Sequence, residues 1–416
     1  MNPEHQIIPF PGLRPFRIEE SHLFFGREGQ SEDVLEKLAK NKFVAVIGAS
    51  GSGKSSLMYC GLVPILYGGF ITKAGSRWRI VTTRPGNNPV ENLAHALQKI
   101  SPDQKEDQEL QKSVSQAVLM RSSKGIAECI KQLKLPPDEN VLLLVDQFEE
   151  LFRYKASRED VSTINESESF VSLLVEAVRQ TDVPVYIVLT MRSDFIGDCS
   201  QFQELTDLIN NSNYLVPQMT RDDFREAIMG PVAVGGAKID PMLVQQLLNE
   251  VGDNPDQLPI LQHAMMRTWE YWKKLNDPKK PIGLSDYEAI GKMEKALSEH
   301  ANEAFDELSP EGKRTCESLF KTLTEKGGDN RGIRHPTRVE VIAAIAHASV
   351  ENVMEVVEKF RATGRSFLTP SAEVPLNKNS VIDLSHESLM RIWNNLIIWV
   401  GEEGSAIQMY NRLAEA

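Results

Sequence analysis

The run Phe43-Val44-Ala45-Val46-Ile47, continued by Gly48-Ala49-Ser50-Gly51-Ser52-Gly53-Lys54-Ser55-Ser56, constrains this chain more than any other stretch. An uninterrupted apolar segment of strand length reads as a buried strand, and the spacing G-x-x-x-x-G-K-S then calls for a loop opening onto a helix. Gly48, Gly51 and Gly53 let the backbone curl until its N–H groups converge on an anion, with Ser50, Ser52 and Ser56 completing the loop. Lys54 adds a point charge for β- and γ-phosphate oxygens, and the Ser55 hydroxyl suits Mg²⁺. From Ser55 towards Leu66 a helix is expected, whose N-terminus favours negative charge. A chance glycine-rich turn would need neither the strand nor the helix. The stretch therefore predicts a site for a nucleoside triphosphate.

A second apolar run, Val141-Leu142-Leu143-Leu144-Val145, ends in Asp146-Gln147-Phe148-Glu149-Glu150-Leu151-Phe152. A strand ending in a carboxylate fits a Walker B element, which would set Asp146 on Mg²⁺ through water or Ser55. Glu149 and Glu150 follow at the strand's carboxyl end, where either could orient or deprotonate an attacking water. The plainer alternative is that both favour a helix start. A third strand, Val188-Leu189-Thr190-Met191-Arg192-Ser193-Asp194-Phe195, delivers Thr190 and Arg192 to the same end. The planar fork of Arg192 suits a γ-phosphate, and the competing possibility is an ion pair with Asp194 or Asp146.

These strands belong to a first half that alternates strand and helix: Phe43–Ile47, Trp78–Thr83, Val141–Val145 and Val185–Leu189, with helices such as Asn88–Ile100 and Phe170–Arg179. The polar stretch Ser101–Lys124 reads as a surface excursion or edge helices. After about Tyr214 helical spacing takes over, in Asp222–Met229, Met242–Val251, Leu258–Trp272 and Ser285–Glu303, with a loop over Asn276–Pro281. Three more helices follow, Gly312–Thr324, Arg338–Ala348 and Val350–Thr363, then short strands at Ser366–Thr369 and Val381–Leu384 and a helix over Ser385–Val400. The last carries Leu389, Ile392, Trp393, Leu396, Ile397 and Val400 as a core-facing stripe. The expected fold is an α/β P-loop NTPase domain with a parallel sheet (1–215), a helical lid (216–305), a winged-helix domain (306–400) and the start of a further helix or linker (401–416).

Composition narrows the function. At 416 residues, 41% hydrophobic and 25% charged, the chain has room for two or three soluble domains. No apolar run approaches membrane-spanning length, and Met1-Asn2-Pro3-Glu4-His5 is no signal peptide. Cys60, Cys129, Cys199 and Cys316 are scattered, which suggests neither zinc nor disulfides and fits a reducing cytoplasm. The net charge of −12 argues against a dominant nucleic-acid surface. The most basic stretch, Lys313–Arg338, reads as a solvated face. No histidine set has metal-ligand spacing, so Mg²⁺ is the metal expected.

In order along nearly the whole chain, several segments resemble the novel STAND NTPases, signal-transduction ATPases with numerous domains related to NB-ARC and NACHT proteins. These are Pro9-Phe10-Pro11-Gly12-Leu13-Arg14-Pro15-Phe16, Leu23-Phe24-Phe25-Gly26-Arg27-Glu28, the phosphate loop, Arg84-Pro85-Gly86, the Asp146 and Thr190–Phe195 segments, Gln257-Leu258-Pro259-Ile260-Leu261-Gln262-His263-Ala264 and Asp383-Leu384-Ser385-His386-Glu387-Ser388-Leu389. The resemblance implies Phe24, Phe25 and Arg27 as adenine contacts, although Phe24 and Phe25 could equally staple the N-terminal segment. It implies Pro259 packing on the base, where Pro is also an ordinary helix start. It implies His386 sensing the β-phosphate of ADP, against a structural histidine at a helix start. Relatives usually continue into a repeat domain that senses a ligand or partner, and these residues hold neither that sensor nor an effector.

The leading expectation is an ATP/ADP-operated switch, closed with ADP and self-assembling as a homo-oligomer with ATP, with weak Mg²⁺-dependent hydrolysis as its reset, serving signalling or defence. Its other partners would be proteins or a sensor module rather than nucleic acid or membrane. The alternative is an AAA+ initiator-like ATPase engaging DNA through the winged helix. A metabolic NTPase or kinase is a third reading with no evident substrate pocket.

Overall fold

The computed structural model describes residues 8–72, 75–100, 108–136, 138–156, 161–252, 257–275, 277, 279–326 and 332–402. The expectations for the first residues, for the polar run at 101–107, for part of the basic stretch (327–331) and for the tail from 403 lie outside them. The chain divides into two compact units. Phe16–Asp223 form one; the stretch ending at Pro15 and the chain from Phe224 onward form the other.

The first unit is built on five parallel strands, β1 (Phe43–Gly48), β2 (Arg77–Thr83), β3 (Glu139–Val145), β4 (Val185–Arg192) and β5 (Asn213–Leu215), in the order β2-β3-β4-β1-β5. β1 and β3 are buried along their whole length, as parallel strands covered on both faces must be. Alternate residues serve opposite layers. Ala45, Leu143 and Ile187 face Leu93, Leu97, Phe170 and Leu174. Val44, Val46, Leu142, Leu144 and Val188 face Val34, Leu38, Leu57 and Leu62 on the other side. Each Val, Leu, Ile or Phe among them contributes about 1.5–3 kcal/mol by leaving water, so the sheet is a firm platform for what its ends carry.

The helix after the phosphate loop is not uniform. Lys54–Ser56 and Val63–Tyr67 are α, and Leu57–Leu62 between them is a π turn. Pro64 lacks the N–H that would reach the Cys60 carbonyl and its ring would crowd that carbonyl, so the wider turn just before it relieves a conflict written in the sequence.

The chain enters the second unit within the helix Arg221–Val234 and continues with helices Pro241–Val251, Gln257–Lys274, Leu284–Ala289 and Lys292–Asp306, packed around Ile228, Leu247, Leu261, Met265, Trp269 and Tyr287 with Phe10 buried among them. Three helices follow, Pro310–Thr322, Val339–Ala346 and Val350–Arg361, beside an antiparallel sheet of Thr337–Arg338, Val381–Leu384 and Leu368–Thr369. Phe320, Phe360, Leu384 and Trp393 form their core.

Two expected helices are each broken. Ser285–Glu303 splits where Gly291 takes a φ of +82°, a conformation glycine adopts without steric cost. Ser385–Val400 becomes Ser388–Ile392 and a second helix over 394–402, separated by Trp393 in extended backbone. Trp393 is fully buried and its Nε1 donates to Asn302 Oδ1 at 2.8 Å. The break turns the helix face, so Leu389 and Leu396 are buried while Ile397 is left exposed.

Candidate functional site

Strand register brings the chemistry to one edge. Thr83 pairs with Val145, Val145 with Leu189, Val46 with Thr190 and Gly48 with Arg192. Arg84, Asp146, Thr190–Arg192 and the start of the phosphate loop therefore leave the sheet at the same level, on its carboxyl end, where α/β folds place ligands.

Asp146 is the centre of this edge and is fully buried. Its Oδ1 accepts from Ser55 Oγ at 2.7 Å and from Thr190 Oγ1 at 2.6 Å. Its Oδ2 accepts from Arg84 Nη2 at 3.0 Å and Nε at 3.3 Å, with Tyr59 OH at 3.4 Å. Burial by itself would raise this carboxyl; the Arg84 guanidinium and the Ser55 and Thr190 hydroxyls outweigh it and hold it below the ordinary carboxylate range. Thr190 Oγ1 also accepts from the N–H of Gln147, whose φ of +57° turns the chain sharply after Asp146.

In the loop itself, Gly51 and Gly53 have φ of +72° and +85°. A Cβ on Gly48 would lie 2.8 Å from Ser52 Oγ and 3.3 Å from Val216 Cβ, so the loop's entrance has no room for a side chain. Lys54 Nζ donates to the carbonyls of Gly48 at 3.0 Å and Ala49 at 2.7 Å. Burial lowers its pKa, while the charge of Glu149 is the largest influence in the other direction. Glu149 is buried and its Oε2 accepts from the Arg192 N–H at 3.3 Å. Glu150 opens the helix Glu150–Ala156 and accepts from the Gly86 N–H at 3.0 Å. The Arg192 guanidinium pairs with Asp194 and stands over the Phe195 ring.

Arg27 is buried and bridges three parts of the chain. Its Nη1 donates to Pro217 O at 2.7 Å and to Gln30 Oε1 at 3.1 Å, and its Nη2 to Ser52 O at 2.8 Å. It thus ties the N-terminal segment to the phosphate loop and to the chain after β5. Phe24 packs edge-on against Phe16 in a small cluster with Leu23, Cys60 and Tyr59, and Phe25 is half-buried. Pro259 and His386 belong to the second unit. Pro259 lies in the first turn of Gln257–Lys274. His386 Nδ1 accepts from the Ser388 N–H at 3.1 Å and lies 2.8 Å from Ser388 Oγ, at the start of Ser388–Ile392.

The residues at the strand ends fit a metal-bound polyphosphate. Ser55 and Asp146 offer one hydroxyl and one carboxylate oxygen side by side, and Mg²⁺ usually takes few protein ligands beside water and phosphate. Ser52 Oγ is buried within the glycine-lined loop with no partner of its own, a polar atom placed where phosphate oxygens would be received. Three participants escaped the sequence reading as ligands of Asp146: Arg84, Thr190 and Tyr59. Arg84 carries a usable signal, since it follows Thr83 as Asp146 follows Val145, but the signal appears only once β2 and β3 are known to be neighbours.

Among the described residues no helix is long and apolar enough to cross a membrane. No curated protein sequence matches this chain significantly. Among solved structures, Aeropyrum pernix Orc1 in complex with DNA aligns over 98% of both chains at 12% identity and a TM-score of 0.45. The Walker-type ATPase PABY2304 of Pyrococcus abyssi aligns over 91% of this chain and 98% of its own, at 11% identity and 0.43. The Thermotoga maritima RuvB Holliday junction branch migration motor aligns over 91% and 97%, at 14% and 0.38. All three likenesses are distant. The family described as Novel STAND NTPase 1 matches residues 9–416, nearly the whole chain, and this protein is a nucleotide-binding P-loop NTPase belonging to that family.

Proposed function

We propose that this chain is an ATP/ADP-operated switch whose slow, Mg²⁺-dependent hydrolysis of ATP resets it, and that the ATP form self-associates. The observation that carries the reading is the meeting of Ser55, Asp146 and Lys54 at the ends of paired parallel strands. Lys54 would exchange the Gly48 and Ala49 carbonyls for phosphate oxygens, and the glycine-lined loop would supply backbone N–H groups. When bound, Mg²⁺ would offset phosphate charge and polarise the phosphoryl group. Ser55 and Asp146 would hold it. Glu149 is the better of the two carboxylates for orienting water, being buried and within electrostatic reach of Lys54, whereas Glu150 is engaged with Gly86. Arg192 would leave the exposed Asp194 for the γ-phosphate. Phe24, Phe25 and Arg27 would border the base. In the second unit, the three helices and three-stranded sheet after Ser309 are read as a winged helix and the preceding helices as a lid. Pro259 and His386 are their proposed nucleotide-responsive residues. A switch of this kind moves only as far as the nucleotide binds its two shapes unequally.

The test is thermal stabilisation by ligand. At a hundredfold excess over its dissociation constant, ATP with Mg²⁺ should stabilise the wild type by about 2.7 kcal/mol, and Lys54→Ala should lose most of that. Equal stabilisation of both proteins would sink the assignment.

A further inference from the structure

We infer that Arg84 is a built-in competitor of the divalent cation: it supplies the counter-charge of Asp146, and a metal-loaded nucleotide engages Asp146 only by displacing it. The inference rests on the nucleotide-site reading above and concerns how that site is regulated.

Asp146 offers about four lone-pair positions, and protein donors already occupy them: Ser55 and Thr190 on Oδ1, the Arg84 fork and the more distant Tyr59 on Oδ2. A carboxylate without solvent contact is costly unless it is paired, and Arg84 is the cation that pairs it. A divalent ion arriving at Asp146 brings positive charge, twice that of the guanidinium, to the same oxygens. Arg84 can yield because its side chain is 40% exposed while Asp146 is at 0%. Its backbone need not move: Asn92 Nδ2 donates to the carbonyls of Arg84 at 3.3 Å and Pro85 at 2.9 Å. A second carboxylate stands near. Glu150 lies within electrostatic reach of Arg84 and already holds the Gly86 N–H.

The experiment measures melting of the full chain with saturating ADP, first in EDTA and then across a buffered series of free Mg²⁺, for wild type, Arg84→Gln and Arg84→Lys. Arg84→Gln should melt earlier than wild type in EDTA, yet reach half-maximal stabilisation at a Mg²⁺ concentration about tenfold lower, equivalent to about 1.4 kcal/mol. Arg84→Lys keeps the charge but not the fork, and should fall between the two. Folding of Arg84→Gln only in the presence of Mg²⁺ would support the exchange most directly. Should Arg84→Gln fold in neither condition, the Mg²⁺ midpoint of Arg84→Lys decides, a lowered value supporting the inference and a wild-type value overturning it. An unchanged or raised Mg²⁺ requirement in Arg84→Gln overturns it as well, making Arg84 a structural pair or a nucleotide ligand. ADP binding undiminished in Lys54→Ala would instead remove the underlying site, so the two failures are distinguishable.

Discussion

Acid should weaken the helical unit well above the pH at which its carboxylates titrate, because of one buried pair of imidazoles. His263, on Gln257–Lys274, and His300, on Lys292–Asp306, place Nε2 and Nδ1 3.0 Å apart, with the Phe367 ring 5.0 Å from that of His300. Both are buried. Cations reach both, Arg267 acting on each and Arg365 and Lys274 on His300, and His263 also acts on the titration of His300. Burial is the largest cause for both; Arg267 then helps bring His263 down to about 3, while His263 itself, followed by Arg267, Arg365 and Lys274, pushes His300 far below the ordinary range. Released into water on unfolding, each imidazole titrates near 6.5. The folded values are depressed, so the pair's contribution is complete above pH 6.5 and is lost as pH falls from there towards the folded values. At pH 5.5 the loss is about 1.4 kcal/mol per imidazole and about 2.8 kcal/mol for the two. Urea unfolding at pH 7.5 and 5.5, followed by tryptophan fluorescence, reads this unit selectively, since Trp269, Trp272, Trp393 and Trp399 lie in it and only Trp78 in the other. Replacing both histidines, His263→Leu with His300→Leu, should remove most of the difference between the two pH values. The same pH dependence in wild type and double variant would refute the argument.

Two further outcomes follow from the proposed function. Glu149→Gln should retain ATP and slow phosphate release more than Glu150→Gln does; unchanged release in both, and in the combination, would reduce these carboxylates to helix-start and loop-tethering groups. His386→Ala should cost about 1 kcal/mol of stability, since the imidazole accepts from the N–H that opens Ser388–Ile392. A nucleotide-sensing role adds ADP release faster by roughly ten- to a hundredfold, the worth of one charge-assisted hydrogen bond. Stopped-flow ADP off-rates decide, and unchanged rates with a lower melting temperature would leave His386 as a cap.

What the sequence determined by itself is local chemistry with a fixed spacing. The phosphate loop, the strand leading into it and the acidic end of Val141–Val145 each need only neighbouring residues to be recognisable, because glycine geometry, apolar run length and terminal charge are properties of a few consecutive positions. The helices after Tyr214 were legible for the same reason, through their 3.6-residue periodicity. Tertiary structure decided what surrounds Asp146. Its partners are Ser55 and Tyr59 on the helical stretch after the phosphate loop, Arg84 after β2 and Thr190 on β4, three separate segments aligned by the order β2-β3-β4-β1-β5 and its registers. Strand order arises from pairings between residues dozens to more than a hundred positions apart, which leave no periodic mark on any one segment. The break at Trp393 has the same origin. Its apolar stripe reads as one continuous helix, and only the packing site beside Asn302, contributed by a distant helix, turns the chain there. Local pattern states which face of an element is apolar, whereas the partner that covers it is set by the free energy of the whole assembled core.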